Sequence, residues 1–154
     1  MADEQQQAGF QIEKIYVKDL SLEIPNSPQI FMEQVQPQLE VQIGTSATNF
    51  SETLFEVTVS ATVTAKAGER TVFLAEAVQA GIFTVRNLPP QEIEPLLGIG
   101  CPSIVFPYLR ETISDMIVRA GFPQVLLAPV SFEALYAQRT RPQAAPGSQI
   151  EIAR

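Results

Sequence analysis

Hydrophobic and polar residues alternate with the period of a β-strand along the first half of the chain. Most even positions from Phe10 to Glu23 are apolar and most odd positions are polar, and a similar alternation recurs over Gln38–Ile43 and Phe55–Thr64. The segment Pro25-Asn26-Ser27-Pro28 ends the first strand, because its two prolines remove backbone donors. Ala67-Gly68 predicts a short turn, so that the third strand pairs with the next one as an antiparallel hairpin.

The fourth predicted strand, Thr71 to Phe83, is largely apolar on both faces, and Glu76 is its only charged residue. A strand of this kind needs cover on both sides. Helices of the same chain can cover one face, and we expect a second subunit to cover the other. Small residues such as Ala75 and Ala77 would permit that close approach.

After Leu88 the hydrophobic period becomes helical. The pattern predicts a short helix over residues 91–97, a longer one with an apolar stripe from Val105 to Ala120, and a last one capped by Ser131. Pro102 and Pro107 are expected at the start of the long helix, and Gly121 at its end. Strands followed by helices predict an α+β fold with a four-stranded antiparallel sheet and packed helices.

The amino-acid composition argues against several classes of active site and partner. The 154 residues include no histidine and one cysteine, Cys101, which argues against Cys/His zinc sites, histidine-dependent triads and disulfides within the chain. We therefore expect no enzyme activity, no cofactor and no metal. The net charge of −7 argues against nucleic acid as a partner. No apolar run is long enough for insertion into a membrane, and no signal peptide is visible, so we expect a cytoplasmic protein.

The charge and the turn-forming residues divide the chain into three parts. Residues 1–9 are expected to be a disordered N-terminus, residues 10–137 one folded domain, and residues 138–154 a mobile C-terminal tail. The tail carries Arg139, Arg141 and Arg154 against Glu151, together with two prolines and a glycine.

Two groups of residues stand out as candidate binding surfaces. Asp19 and Glu23 lie four apart on one strand and so share a face, about 13 Å apart, while Leu74 and Glu76 share a face of the fourth strand. These acids either form a solvated strand face or a docking patch for a cationic partner. The second group is apolar: the segment around Phe31 and the last helix either line an adaptable groove or fold over the sheet as core.

The chain resembles the bacterial protein-export chaperone SecB family. The motifs that carry the resemblance occur in the same order from about Phe10 to Tyr136: Phe10-Gln11-Ile12, Ile15-Tyr16-Val17-Lys18-Asp19, Pro25-Asn26-Ser27-Pro28, Gly81-Ile82-Phe83, Cys101-Pro102, Phe106-Pro107-Tyr108, Arg110-Glu111, Gly121-Phe122-Pro123 and Leu127-Ala128-Pro129-Val130.

The resemblance implies a cytoplasmic homotetramer, assembled as a dimer of dimers, that holds unfolded precursor proteins and delivers them to the SecA translocation ATPase. It implies docking of the basic, zinc-bearing C-terminal segment of SecA at Asp19, Glu23, Leu74 and Glu76. It also implies an apolar client groove and a tetramer interface. The groove residues are Phe31, Leu39, Val41, Ile43, Phe132, Leu135 and Tyr136, and the interface residues are Ala75, Ala77 and Gln79. The tail departs from well-known members, in which it is acidic.

Two other classes of protein fit the residue pattern. One is a small α+β enzyme or small-molecule-binding domain with an acidic pocket served by a residue such as Glu111. A deep closed pocket within one subunit would favour it, whereas open surface grooves would count against it. The other is a structural oligomer without a client, for which the two-sided fourth strand is sufficient.

Overall fold

A computed structural model describes residues 7–140 and the backbone of residues 150–153. Five antiparallel strands form one sheet in the order β1-β4-β3-β2-β5. The strands span Gly9–Glu23 (β1), Gln38–Asn49 (β2), Leu54–Ala67 (β3), Arg70–Arg86 (β4) and Ile150–Ala153 (β5). The first four are the predicted strands, and β3 and β4 form the predicted hairpin around Gly68, whose φ of 63° is easily adopted by glycine.

Three helices follow β4 in the chain. They are α1 (Pro90–Pro95), α2 (Cys101–Arg119) and α3 (Phe132–Arg139), and a π-turn over Leu96–Gly100 joins α1 to α2. Gly121 ends α2 with a φ of 97°, and the Ser131 hydroxyl caps α3 by accepting a bond from the Ala134 amide at 3.2 Å. Sheet and helices in this order confirm the α+β prediction.

The core lies between one face of the sheet and α2. The apolar stripe of α2 is buried, as its period predicted, and it meets buried residues of β3 and β4. The stripe consists of Val105, Leu109, Ile113, Met116 and Ile117. We call this side of the sheet the helix face, and the other side, on which no described helix packs, the open face.

Pro107 was predicted at the start of α2, and that position is wrong because it lies inside the helix. A proline there removes one intrahelical hydrogen bond, to the carbonyl of Ser103. Pro102 does lie in the first turn, as predicted.

Two bulges change the phase of β1. The register with β4 shifts between Ile12 and Lys14 and again between Val17 and Asp19. Each extra residue moves the following side chains to the other face. As a result Val17 pairs with Gln79 on the helix face and Tyr16 lies on the open face, whereas simple alternation had grouped Tyr16 with Phe10 and Leu20.

The two ends of the chain differ from the predicted boundaries. The first strand begins at Gly9, and α3 continues to Arg139, two residues past the expected end of the domain. Residues 150–153 of the predicted tail pair with β2 as β5. The remaining parts of the predicted disordered segments, residues 1–6, 141–149 and 154, lie outside the described residues.

Candidate functional surfaces

The open face brings together the four residues of the predicted docking site. Glu76 pairs with Ser21, which lies midway between Asp19 and Glu23, and Leu74 pairs with Glu23. Partners in an antiparallel ladder point to the same face, so the three carboxylates and Leu74 share it. From the strand rise and spacing, Glu76 lies about 8 Å from both Asp19 and Glu23. We call these four residues the acidic patch.

The acidic patch is available to a partner. Asp19, Glu23 and Glu76 are exposed and Leu74 is half-buried. Thr62 on β3 donates a long 3.4 Å hydrogen bond to Glu76, and no described lysine or arginine forms a salt bridge with any of the three acids. The four residues therefore form one accessible surface, with an apolar side chain next to three acids that form no salt bridge with a described residue.

A second polar cluster lies farther along the open face. The carboxylate of Glu56 accepts hydrogen bonds from the Tyr16 hydroxyl and from Lys18 Nζ, the latter at 2.7 Å. The bond from Lys18 holds the pKa of Glu56 below its ordinary value, and the bond from Tyr16 acts in the same direction. Burial, with the neighbouring Glu56, raises the pKa of Tyr16 to about 12. Sequence analysis missed this cluster because the two β1 bulges create it.

The structure divides the predicted client groove into core and surface. Val41, Ile43, Phe132 and Leu135 are buried in the core. They belong to the core on the helix face of the sheet in the single chain, and their role as groove residues stays a prediction. Leu39 and Tyr136 are half-buried, and Phe31 is 46% exposed. The predicted residues thus form no single continuous groove.

Phe31 belongs to an aromatic cluster at one end of the helix face. Its ring stacks on Phe122 with centroids 5.1 Å apart, and Phe122 lies 4.9 Å from Phe73. A Cβ added at Gly121 would lie 3.1 Å from the Phe31 ring, so glycine permits this close packing. Met32 is next to the cluster and 85% exposed. We call Phe31, Met32 and Phe122 the aromatic ledge.

The residues predicted for the tetramer interface are also inside the subunit. Ala75, Ala77 and Gln79 have almost no exposed surface, and Thr112 of α2 donates a 2.8 Å hydrogen bond to the Gln79 amide oxygen. In the single chain α2 covers this side of β4, and their assignment to the tetramer interface stays a prediction.

An exposed apolar surface lies beside them. On β1, the residues of the helix face extend past the edge of α2, and Val17, Leu20 and Leu22 are 46%, 52% and 36% exposed. With Met116 and Arg119 of α2 they line a groove. We call this the β1–α2 surface. The sequence shows that one face of β1 is apolar. Only the packed structure shows that α2 does not cover this part of β1.

The described residues offer little to catalysis. Cys101 is buried, and burial raises the pKa of its thiol to about 12, so the reactive thiolate is disfavoured. Glu111 is exposed on α2 and lines open surface grooves rather than a closed pocket. No cluster of acids and cysteine suited to a metal ion occurs among the described residues. Within the same residues, no helix combines the length and apolar character needed to span a membrane.

Comparison with known proteins gives a consistent match. The family described as preprotein translocase subunit SecB matches residues 3–143. The protein-export protein SecB of Chromobacterium violaceum is 53% identical over 149 residues, which cover 96% of this chain and 99% of the relative. The SecB of Nitrosomonas eutropha is 57% identical over 141 residues, covering 90% and 88% of the two chains.

One solved structure shares the fold. A SecB-like chaperone of Mycobacterium tuberculosis, solved in complex with a peptide from the HigA1 antitoxin, superposes with a TM-score of 0.61. The match covers 79% of this chain and 90% of that one, with 16% sequence identity. The family match over most of the chain, the identity with export proteins and the shared fold agree with the resemblance and with the prediction of a non-enzyme. The chain therefore belongs to the SecB family of protein-export chaperones.

Proposed function

We propose that this chain holds unfolded precursor proteins in the cytoplasm and passes them to the SecA translocation ATPase. The observation that carries the proposal is the separation of two surfaces on opposite sides of one sheet. The acidic patch lies on the open face, and the aromatic ledge packs against Phe73 on the helix face. A client and SecA can then approach from opposite sides and be bound at the same time, which a handover requires.

Client binding needs exposed apolar area rather than reactive groups. The aromatic ledge offers two stacked rings and an exposed methionine, whose flexible thioether adapts to different side chains. Covering such area stabilises a complex by about 25 cal/mol per Å², and ordering the client costs conformational entropy, so each contact is weak. Several subunits acting on one chain raise the affinity through effective concentration.

SecA docking uses the acidic patch in this proposal. The carboxylates of Asp19 and Glu23 lie about 8 Å from that of Glu76 and about 13 Å from each other. Together the three attract the basic, zinc-bearing segment of SecA and fix its register. Leu74 supplies an apolar contact at the Glu23 end of the patch. Surface charges of this kind act mainly on the rate of encounter and are weakened by salt.

The homotetramer, a dimer of dimers, is part of the same proposal. The β1–α2 surface supports it, because three large aliphatic side chains with 36–52% exposure are costly to leave in water. Replacing Leu20 with Asp should reduce the assembly to smaller species by light scattering while the circular dichroism spectrum is unchanged. A monomeric wild type at micromolar concentration would refute the tetramer.

Binding to an unfolded protein tests the holding function directly. Reduced, carboxymethylated α-lactalbumin stays unfolded, and it should co-elute with the chain, whereas native α-lactalbumin should not. Phe31→Ser and Met32→Ser should each weaken this binding. Phe50→Ser is the matched control, because Phe50 is 53% exposed in the β2–β3 turn, far from the aromatic ledge. Equal loss in all three variants, or no preference for the unfolded form, would contradict the proposal.

A further inference from the structure

The outer edge of β2 lacks the features that usually protect a sheet edge. Over Gln38–Asn49 there is no proline or lysine, Glu40 is the only charged residue, and pairing with β3 is unbroken for all twelve residues. In contrast, β1 at the opposite edge has two bulges and five charged residues. A long, regular edge with few charges is a template for any extended polypeptide.

The chain covers part of this template itself. β5 pairs antiparallel with β2, and Ile150 and Ile152 take the register positions opposite Ile43 and Val41. Pairing ends at Ile43, so the β2 edge from Gly44 to Asn49 has no partner from β5. Four residues of main-chain pairing give a short ladder that is easily displaced, since ordering each residue opposes the gain from its hydrogen bonds.

The start of the tail is fixed next to the same edge. Arg139, the last residue of α3, donates a 2.8 Å hydrogen bond from Nη1 to the Thr45 hydroxyl, two residues beyond the β5 ladder. Arg139 and β5 therefore both contact β2. Because β5 belongs to the same chain, its pairing with β2 is intramolecular and does not depend on the protein concentration.

We propose that the C-terminal strand is a built-in competitor that regulates client access to the β2 edge. The inference rests on the proposed function: an extended segment of an unfolded client needs the same β2 N–H and C=O groups that β5 uses. A client must displace the tail, so only segments that pair or pack better than β5 are held. In the resting chaperone the strand also protects an edge that would otherwise pair with other chains.

If β5 competes with the client, removing β5 should raise the affinity for the client by a defined factor. If β5 occupies the edge in about 70–90% of molecules, the competent fraction is about 10–30%, and truncation after Gln149 tightens client binding about three- to tenfold. Ile152→Pro should give a similar gain at full length, because proline has no N–H and disrupts a short ladder. Ile152→Val keeps the N–H and the β-branched side chain, and it should bind like wild type.

Two measurements test this with reduced, carboxymethylated α-lactalbumin as the probe. Without the probe, truncation should speed hydrogen exchange of the β2 amides that face β5 and leave the β3–β4 ladder unchanged. With the probe, affinity should rise in the truncated and proline variants only. Unchanged exchange, or equal measurable affinity in all variants, would overturn the competition. No binding by any variant, including the wild type, would instead refute the proposed function.

Discussion

Reversing the charge of the acidic patch should abolish SecA docking without affecting the fold. The perturbation is the triple substitution Asp19→Lys, Glu23→Lys and Glu76→Lys. All three side chains are exposed, so lysine can be accommodated at each position without a cavity or a buried charge. Opposite charges on exposed groups contribute about 0.2–1 kcal/mol each, and reversal replaces attraction by repulsion, which doubles the change.

The loss of binding free energy summed over the three positions is about 1 to 6 kcal/mol. The lower value weakens binding about fivefold, and the upper value makes binding undetectable. The patch acts as a unit, because the spacing of about 8 Å from Glu76 to its neighbours equals the Debye length at physiological salt. Raising the ionic strength to 1 M shortens that length to about 3 Å, so the wild-type affinity should fall with salt, whereas any residual affinity of the variant should rise as its repulsion is screened.

Isothermal titration with the zinc-loaded C-terminal segment of SecA measures this affinity. The matched control carries the same change of six charges at three exposed acids near the opposite end of the sheet, Glu52→Lys, Glu92→Lys and Glu94→Lys. It should lose little affinity, whereas the patch variant should lose nearly all of it and still hold unfolded α-lactalbumin. Equal loss in both triple variants would show that net charge alone is responsible and would refute a localised site.

Further expectations follow from the packing and the titrating groups. Ile43→Ser places a hydroxyl in the core and should lower the free energy of unfolding by about 2–5 kcal/mol in urea titrations, instead of selectively weakening client holding; an unchanged midpoint would contradict its core position. Gly98→Ala would place a Cβ 2.4 Å from the Tyr136 ring, so it should displace that ring and lower stability by about 1–3 kcal/mol in thermal unfolding, and wild-type stability would argue against this contact. The pKa of Tyr16 is raised from 10.0 to about 12, so the neutral phenol is favoured in the folded state; its contribution to stability is complete below pH 10 and is lost as pH rises through 12, and Tyr16→Phe should remove this part of the pH dependence. Cys101 should react with a thiol reagent in guanidinium chloride but hardly in the native protein, and fast native reaction would disprove its burial.

The sheet could be predicted because residues of a strand alternate between its two faces. Part of the docking patch could be predicted because residues an even number apart on one strand share a face. Asp19 and Glu23 are four residues apart with no bulge between them, so alternation alone placed them on one face. Their proximity to Glu76 is different, since it depends on the register between β1 and β4, to which the family resemblance pointed and spacing did not. Tyr16 was misplaced because a bulge leaves no clear trace in hydrophobic alternation.

Burial of the groove and interface residues could not be predicted for a physical reason. An apolar residue on one face of a strand gives the same pattern whether a helix of its own chain, a second subunit or a client covers it. Ile43 and Ala77 are buried in the core, whereas Leu20, with the same alternation, is 52% exposed. The position of α2 across β3 and β4 decides between these outcomes, and it is a property of the packed fold.

A three-component co-migration shows whether one molecule both holds a client and hands it over. The chain is loaded with reduced, carboxymethylated α-lactalbumin and mixed with the C-terminal segment of SecA, with zinc or with a chelator. All three should migrate together only with zinc, and reversing the acidic patch should release the SecA segment and leave the client bound. A SecA segment that never joins the client-loaded chain, or that joins equally with the patch reversed, would contradict the proposed handover.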